Sequence, residues 1–197
     1  MPKPTAIVYI DGLNVQRRLL EAADTEIWVN FQILAENLLQ DYEVRLVRLF
    51  TSRTNVARPA IQDKYWSLLK RDCNKLVVEF GRMKTTARVY PIHSQAISYY
   101  SSASSLVKVR KIEEKGSDVS LGAHLVLDAS RDLADVYVLM SCDTDFFPAL
   151  SLVISELKVS IGFLIPGVRM PKLFATLKPE FVRYVDQRDM IESQIYL

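Results

Sequence analysis

A chain of 197 residues, 49% of them hydrophobic, is long and apolar enough for one domain with a substantial core, and too rich in order-promoting residues to be a disordered linker. Two cysteines without CxxC spacing (Cys73 and Cys142) exclude a disulfide framework, and no apolar stretch reaches the length of a membrane span, so the expectation is a cytoplasmic protein with no membrane partner. The net charge of +2 hides an asymmetry: Arg45 to Arg71 carries about +6, Arg82 to Lys115 about +5, and the rest about −9. An acidic remainder flanked by basic stretches suits an acidic site bordered by surfaces that hold a polyanion, although either basic stretch alone also reads as solvated surface.

In chain order, Ala6 to Ile10 is an apolar run ending abruptly on Asp11, which predicts a buried strand with a carboxylate at its carboxyl end. Gly12 permits a tight turn there, and Asn14 can enter the next helix. Val15 to Ala23 reads as a short helix with Leu19 and Leu20 inward. Asn30 is a candidate N-cap for a helix over Phe31 to Leu39, with Phe31, Leu34, Leu38 and Leu39 at helical spacing. Tyr42 to Thr51 predicts a second strand, with Arg45 and Arg48 near its faces or ends. Ser52 to Arg58 is a polar loop. Pro59 opens a helix through Cys73, striped by Ile61, Tyr65, Leu68 and Leu69. Lys75 to Phe80 is a third strand closed by Gly81. Strand, helix, strand, helix, strand argues for a parallel sheet covered on both faces.

The rhythm breaks between residues 82 and 112, a basic excursion with a Ser- and Tyr-containing centre (Ser94 to Ser105). Arg88 to Ile92 and Leu106 to Val109 read as extended segments of a hairpin or arm. Tyr90, Tyr99 and Tyr100 among its cations fit base stacking, and fit packing of a hairpin equally well. His93 and His124 lack metal-ligating company, which argues against zinc.

Ser117 is a candidate N-cap of a helix to about Ser130, with Asp118 in its first turn and Val119, Ala123, Val126 and Leu127 on one side. Asp128, near its end, is rotated away from Asp118. Asp135 to Met140 is a fourth strand, and Asp143 and Asp145 follow it. Asp145 is placed to cap a helix over Phe146 to Glu156, whereas Asp143 has no comparable structural reason to be there. Leu157 to Leu164 is a fifth strand. Pro171 to Leu177 and the tail are short helices, and Phe181 to Val185 is an edge strand.

Asp11, Asp118, Asp143 and Asp145 thus lie at strand ends or helix starts from three chain segments, where an open α/β sheet forms its ligand crevice. Clustered carboxylates repel unless a hard cation such as Mg2+ relieves them, and such a cation can activate water against a phosphate. Asn14 could orient that water, while Ser141 and Thr144 could hydrogen-bond the carboxylates. There is no GxSxG elbow, no GxGxxG loop and no Walker loop.

These residues carry a resemblance. Ile10-Asp11-Gly12-Leu13-Asn14 resembles the IDGxN opening of the NYN family of PIN-like ribonucleases. Lys115-Gly116-Ser117-Asp118 resembles its KGxD element, and Ser141-Cys142-Asp143-Thr144-Asp145-Phe146 its SxDxDF element, with Cys142 where the family often has Gly. The motifs occur in the family's order across most of the chain.

The resemblance implies one domain over residues 1–197 with a PIN-like three-layer α/β/α, Rossmann-like fold and a central, mostly parallel sheet. It also implies RNA cleavage dependent on Mg2+ or Mn2+, with metal roles for Asp11, Asp118, Asp143 and Asp145 and an active-site role for Asn14. Arg53, Arg58, Arg82, Lys84 and Lys115 are candidate phosphate contacts. The partner expected is RNA, with single-stranded DNA left open. The basic arm is a candidate for setting substrate choice or for pairing two copies of the chain. The rival readings are a nucleic-acid-binding module that cuts nothing and a regulatory scaffold that binds a protein partner.

Overall fold

The computed structural model describes residues 2–20, 27–53, 59–91 and 106–197. Arg58, His93, Tyr99, Tyr100 and the end of the first predicted helix lie outside them. Six parallel strands form the central sheet: β1 (Thr5–Asp11), β2 (Glu43–Thr51), β3 (Leu76–Phe80), β6 (Val136–Met140), β7 (Ser160–Pro166) and β8 (Phe181–Val185). Their order is β3-β2-β1-β6-β7-β8. The chain builds outward from β1 in one direction, then returns to the other side of β1 with β6. The β1/β6 junction is therefore the switch point of a doubly wound sheet. Its register sets Ile10 beside Met140, which brings Asp11 and Ser141 out together at the carboxyl edge.

The apolar run of β1 is buried along its whole length because helices cover both faces. Alternate residues serve alternate layers. Ala6, Val8 and Ile10 pack with Leu34, Leu39 and Val15 on the side of α1 (Gly12–Val15) and α2 (Phe31–Leu38). Ile7 and Tyr9 pack with Leu121, Leu125 and Leu150 on the side of α4 (Ser117–Ser130) and α5 (Phe147–Leu157). Continuing that alternation, Asp11 belongs to the α4 side. A third cluster around Tyr65 and Leu69 seats α3 (Pro59–Asp72). Two short helices complete the chain, α6 (Lys172–Ala175) and α7 (Gln187–Glu192). The result is a three-layer α/β/α architecture of Rossmann-like type. No helix among the described residues is long and apolar enough to cross a membrane.

Several sequence expectations are corrected. The buried face of α4 is Leu121, Leu125, Asp128 and Ala129, while Val119 is 78% exposed and Leu127 is exposed as well. The reason is a polar one: Asp128 turns inward to Arg48 of β2. Arg48 Nε and Nη2 donate to its carboxylate at 2.8 and 3.2 Å, and the Tyr9 hydroxyl donates at 2.8 Å. A helix face chosen by hydrophobicity alone misses a buried ion pair. Leu157 ends α5 rather than starting β7, because Lys158 adopts the left-handed conformation that stops the helix. Gly12 has no left-handed φ. Glycine is required because a Cβ there would stand 2.9 Å from the Phe50 carbonyl oxygen and 2.9 Å from Thr51 Cβ.

The described parts of the excursion form a two-stranded antiparallel ribbon, β4 (Arg82–Pro91) with β5 (Leu106–Lys115), whose strands pair with each other and not with the central sheet.

Candidate functional site

The β1/β6 junction assembles its polar residues through a short relay. The Asn14 amide N–H donates to Asp11 Oδ1 at 3.0 Å, which makes Asp11 the N-cap of α1. The Ser141 hydroxyl donates to Asp11 Oδ2 at 2.9 Å and accepts from the Asp143 amide N–H at 2.9 Å. Asn14 Oδ1 accepts from the Cys142 amide at 3.2 Å, tying α1 to the loop after β6. Each carboxylate oxygen of Asp11 is thus held by a donor, and Asn14 fastens the two chain segments together. Thr144 stays exposed and takes no part.

Asp11 is only 6% exposed, and its carboxyl is pushed up to about 6. Burial is the main cause. The donors Asn14 and Ser141 oppose it, and the nearby charges of Asp118 and Asp143 add to it. Asp118, at the rim in the first turn of α4, is likewise raised, by partial desolvation first and then by Asp143, Glu114 and Asp145. The acids from three chain segments therefore share one electrostatic environment. They do not crowd into a single cage: among the described residues, no three acidic, histidine or cysteine side chains stand close enough to enclose one ion directly.

The capping roles differ from those expected. Asp143, not Asp145, is the cap: its Oδ1 accepts from the Asp145 amide at 3.0 Å and starts the 3-10 turn Thr144–Phe146. Asp145 is exposed and α5 begins after Phe146 without a side-chain cap. Asp143 therefore has a structural use for one oxygen. Ser117 is not an N-cap either. Gly116 holds that position at φ 101°, and the Glu114 carboxylate accepts from the Ser117 amide at 3.1 Å and its hydroxyl at 2.6 Å. Glu114 is the acid that sequence reasoning missed; the signal was an acid three residues before the first helical residue, in reach of the free amides there.

The cations divide. On the ribbon, cross-strand partners share a face, so Arg82, Lys84, Thr86, Arg88 and Tyr90 lie together with Lys115, Glu113, Lys111, Val109 and Val107. Five cations stand against one acid on that face. Lys111 and Lys115 pair with Glu113, while no acid among the described residues pairs with Arg82, Lys84 or Arg88. The opposite face exposes Met83, Val89, Leu106 and Ile112. Arg53 is already engaged, 3.3 Å from Asp63 and over the Phe80 ring at 5.1 Å.

No family model matches the chain, and no curated protein does. Among solved structures, the chain is similar to a protein of unknown function from Vibrio parahaemolyticus, with a TM-score of 0.60 and 15% identity over 93% of this chain and 94% of that one. At that identity the likeness speaks to the fold alone.

Proposed function

We propose that the chain is a metal-dependent ribonuclease of the PIN-like, NYN type, hydrolysing RNA phosphodiester bonds with Mg2+ or Mn2+ at the β1/β6 crevice. The observation that carries this reading is the buried Asp11 at the switch point, its carboxyl raised to about 6 with Asp118 and Asp143 adding to the rise. A protein gains nothing in stability by gathering carboxylates this way unless something positive enters. The donor set is all hard oxygen, which fits Mg2+ or Mn2+ and not zinc. Among the described residues no three such side chains enclose an ion, so the ion of this reading would keep most of its waters and take one or two carboxylates directly. Bound there, the ion would supply charge neutralisation at phosphate and an acidified water.

The chain's own residues have distinct tasks in this reading. Asp11, fixed by Asn14 and Ser141, is the rigid ligand. Asp143 offers its second oxygen while the first caps the turn. Asp118 and Asp145 hold waters at the rim, and Glu114 adds negative charge beside them. Asn14 is a positioning residue, since its side chain holds the Cys142 amide. The unpaired cations Arg82, Lys84 and Arg88 would carry the RNA backbone.

The test is incubation with labelled RNA and single-stranded DNA in Mg2+, Mn2+ or EDTA. Cleavage of RNA that stops in EDTA is the expected result. Binding without cleavage in either metal would overturn the nuclease reading and leave the second one, a nucleic-acid-binding module, which the basic ribbon face favours.

A further inference from the structure

At the foot of the ribbon, beside the acid crevice, lies a cavity of about 250 Å³ at the carboxyl ends of β2 and β3. Phe80, an exposed ring, supplies its aromatic wall, the buried Phe50 lies beneath, and Arg82 and Lys115, the first cross-strand pair of the ribbon, supply its cations. Glu79 and Ser120 supply polar edges. Phe50 pairs with Asp11 in the sheet register, so the cavity begins one strand away from the buried carboxylate. Two strand spacings, roughly 10 Å, separate the middle of the cavity from the β1/β6 junction.

We infer that this cavity receives one unpaired nucleotide of the RNA strand, adjacent to the position of the cut, and prefers a base bearing an exocyclic amine. The inference rests on the nuclease reading for the location of the cut, but not for binding. Aromatic surface beside cations is the chemistry that holds a base and its phosphate without a duplex.

The base preference follows from Glu79. Its carboxylate has about four acceptor positions. One is filled by a hydrogen bond, from the Ser120 hydroxyl at 2.9 Å, while His124 Nε2 at 3.0 Å and Arg48 Nη1 at 3.5 Å make charge contacts with the other oxygen. A free acceptor on this carboxylate suits the exocyclic amine of cytosine, adenine or guanine, whereas uracil places a carbonyl oxygen where cytosine carries its amine, and that oxygen is repelled by the carboxylate. These three contacts also restrain the carboxylate at the edge of the cavity. Gly81 closes the floor of the cavity against the Glu114 side chain, where a Cβ would stand 1.6 Å from Oε1. The ribbon foot and the acid rim are therefore packed against each other at this point.

The experiment titrates the protein, in EDTA, with 5′-CMP and 5′-UMP and with a short cytidine-rich RNA, read by calorimetry. CMP is expected to bind at least tenfold more tightly than UMP, and the RNA more tightly than CMP. Glu79→Gln, whose amide can both donate and accept, should erase the difference between CMP and UMP. Joint replacement of Arg82 and Lys115 by Ala should weaken both nucleotides equally. Ser120→Leu should fill the cavity and abolish binding, and Phe80→Ala, at a half-exposed ring, is the second variant should Ser120→Leu fail to fold.

Equal affinity for CMP and UMP overturns the role of Glu79. Binding that survives both Ser120→Leu and Phe80→Ala places the nucleotide elsewhere, and RNA no tighter than CMP marks a free-nucleotide site instead. The two readings separate cleanly. CMP bound in EDTA with no RNA cut in Mg2+ sinks the nuclease and keeps the pocket; RNA cut with no nucleotide bound does the reverse.

Discussion

Asp11→Asn is the most direct probe of the crevice, because it removes one charge and almost no volume. The unfolded chain releases the Asp11 proton near 3.9, the ordinary value for Asp, whereas the folded protein holds it to about 6. Between those two values the folded state binds the extra proton. Stability therefore falls as pH rises through this window, and the loss is complete above pH 6. A shift of about two units corresponds to about 3 kcal/mol at neutral pH. The figure needs no large discount for solvent, since Asp11 is 6% exposed. Asn resembles the protonated carboxyl: its oxygen can accept from the Asn14 amide, and its NH2 can approach Ser141 Oγ.

The metal-free Asn variant should thus be more stable than the parent at pH 7 by up to about 3 kcal/mol, a rise in Tm of roughly 6–12 °C for a domain of this size. The advantage should shrink to nothing as pH falls to 4. Urea denaturation of both proteins in EDTA from pH 4 to 8 measures this. Added Mg2+ should raise the parent's Tm and move the variant far less. A variant less stable than the parent at pH 7, or an advantage that does not depend on pH, would refute the argument that burial of charge at Asp11 is the price of the site.

Other outcomes follow from the same geometry. Asp143→Asn should fold normally, because Asn caps the Asp145 amide as well as Asp does, yet RNA cleavage should drop by orders of magnitude while RNA binding persists; an unchanged cleavage rate counts against the metal mechanism. Replacing Arg82, Lys84 and Arg88 together by Ala should lower RNA affinity and flatten its salt dependence by about two units of slope, at about 0.7 per phosphate contact on a single strand; filter binding across a salt series reads this. Gly12→Ala should cost about 1–3 kcal/mol, since the new methyl meets the Phe50 carbonyl and Thr51 at 2.9 Å, and chemical denaturation measures the loss. Arg48→Met should cost about 3–5 kcal/mol by leaving Asp128, 1% exposed, with only the Tyr9 hydroxyl, measured in the same way.

What the sequence made legible was what repeats along the chain. The strands of the central sheet, the longer helices and the parallel order follow from runs of apolar residues with period 2 or 3.6, and so does the placing of Asp11 at a strand end, whereas the exposed ribbon strands run longer than their apolar residues suggest. What it hid depends on pairs far apart in sequence. The α4 face was misread because Asp128 counts as polar until Arg48, 80 residues earlier, turns it into a core residue. Asp143 and Asp145 were given each other's roles, because both precede a helix and only the backbone geometry decides which carboxylate meets which amide. Glu114 was passed over as part of a charge run, although it sits three residues before the free amides of α4.

These misreadings share a physical cause, which bears on how the crevice works. Every acid at the junction that could be held by a neighbour is held. Asp11 is gripped by Asn14 and Ser141, Asp143 by its turn, and Glu114 by Ser117, so their donors partly offset the cost of gathering negative charge. Asp118 takes a hydrogen bond from its neighbour Ser117 but stays exposed, and Asp145 faces outward too, at the rim where Asp118 already feels Asp143 and Glu114. An incoming cation would therefore meet a rigid inner carboxylate first in strength and a loose outer pair first in space. Loss of Asp145 should slow the capture of the ion more than it weakens its final hold, and loss of Asp11 should do the opposite.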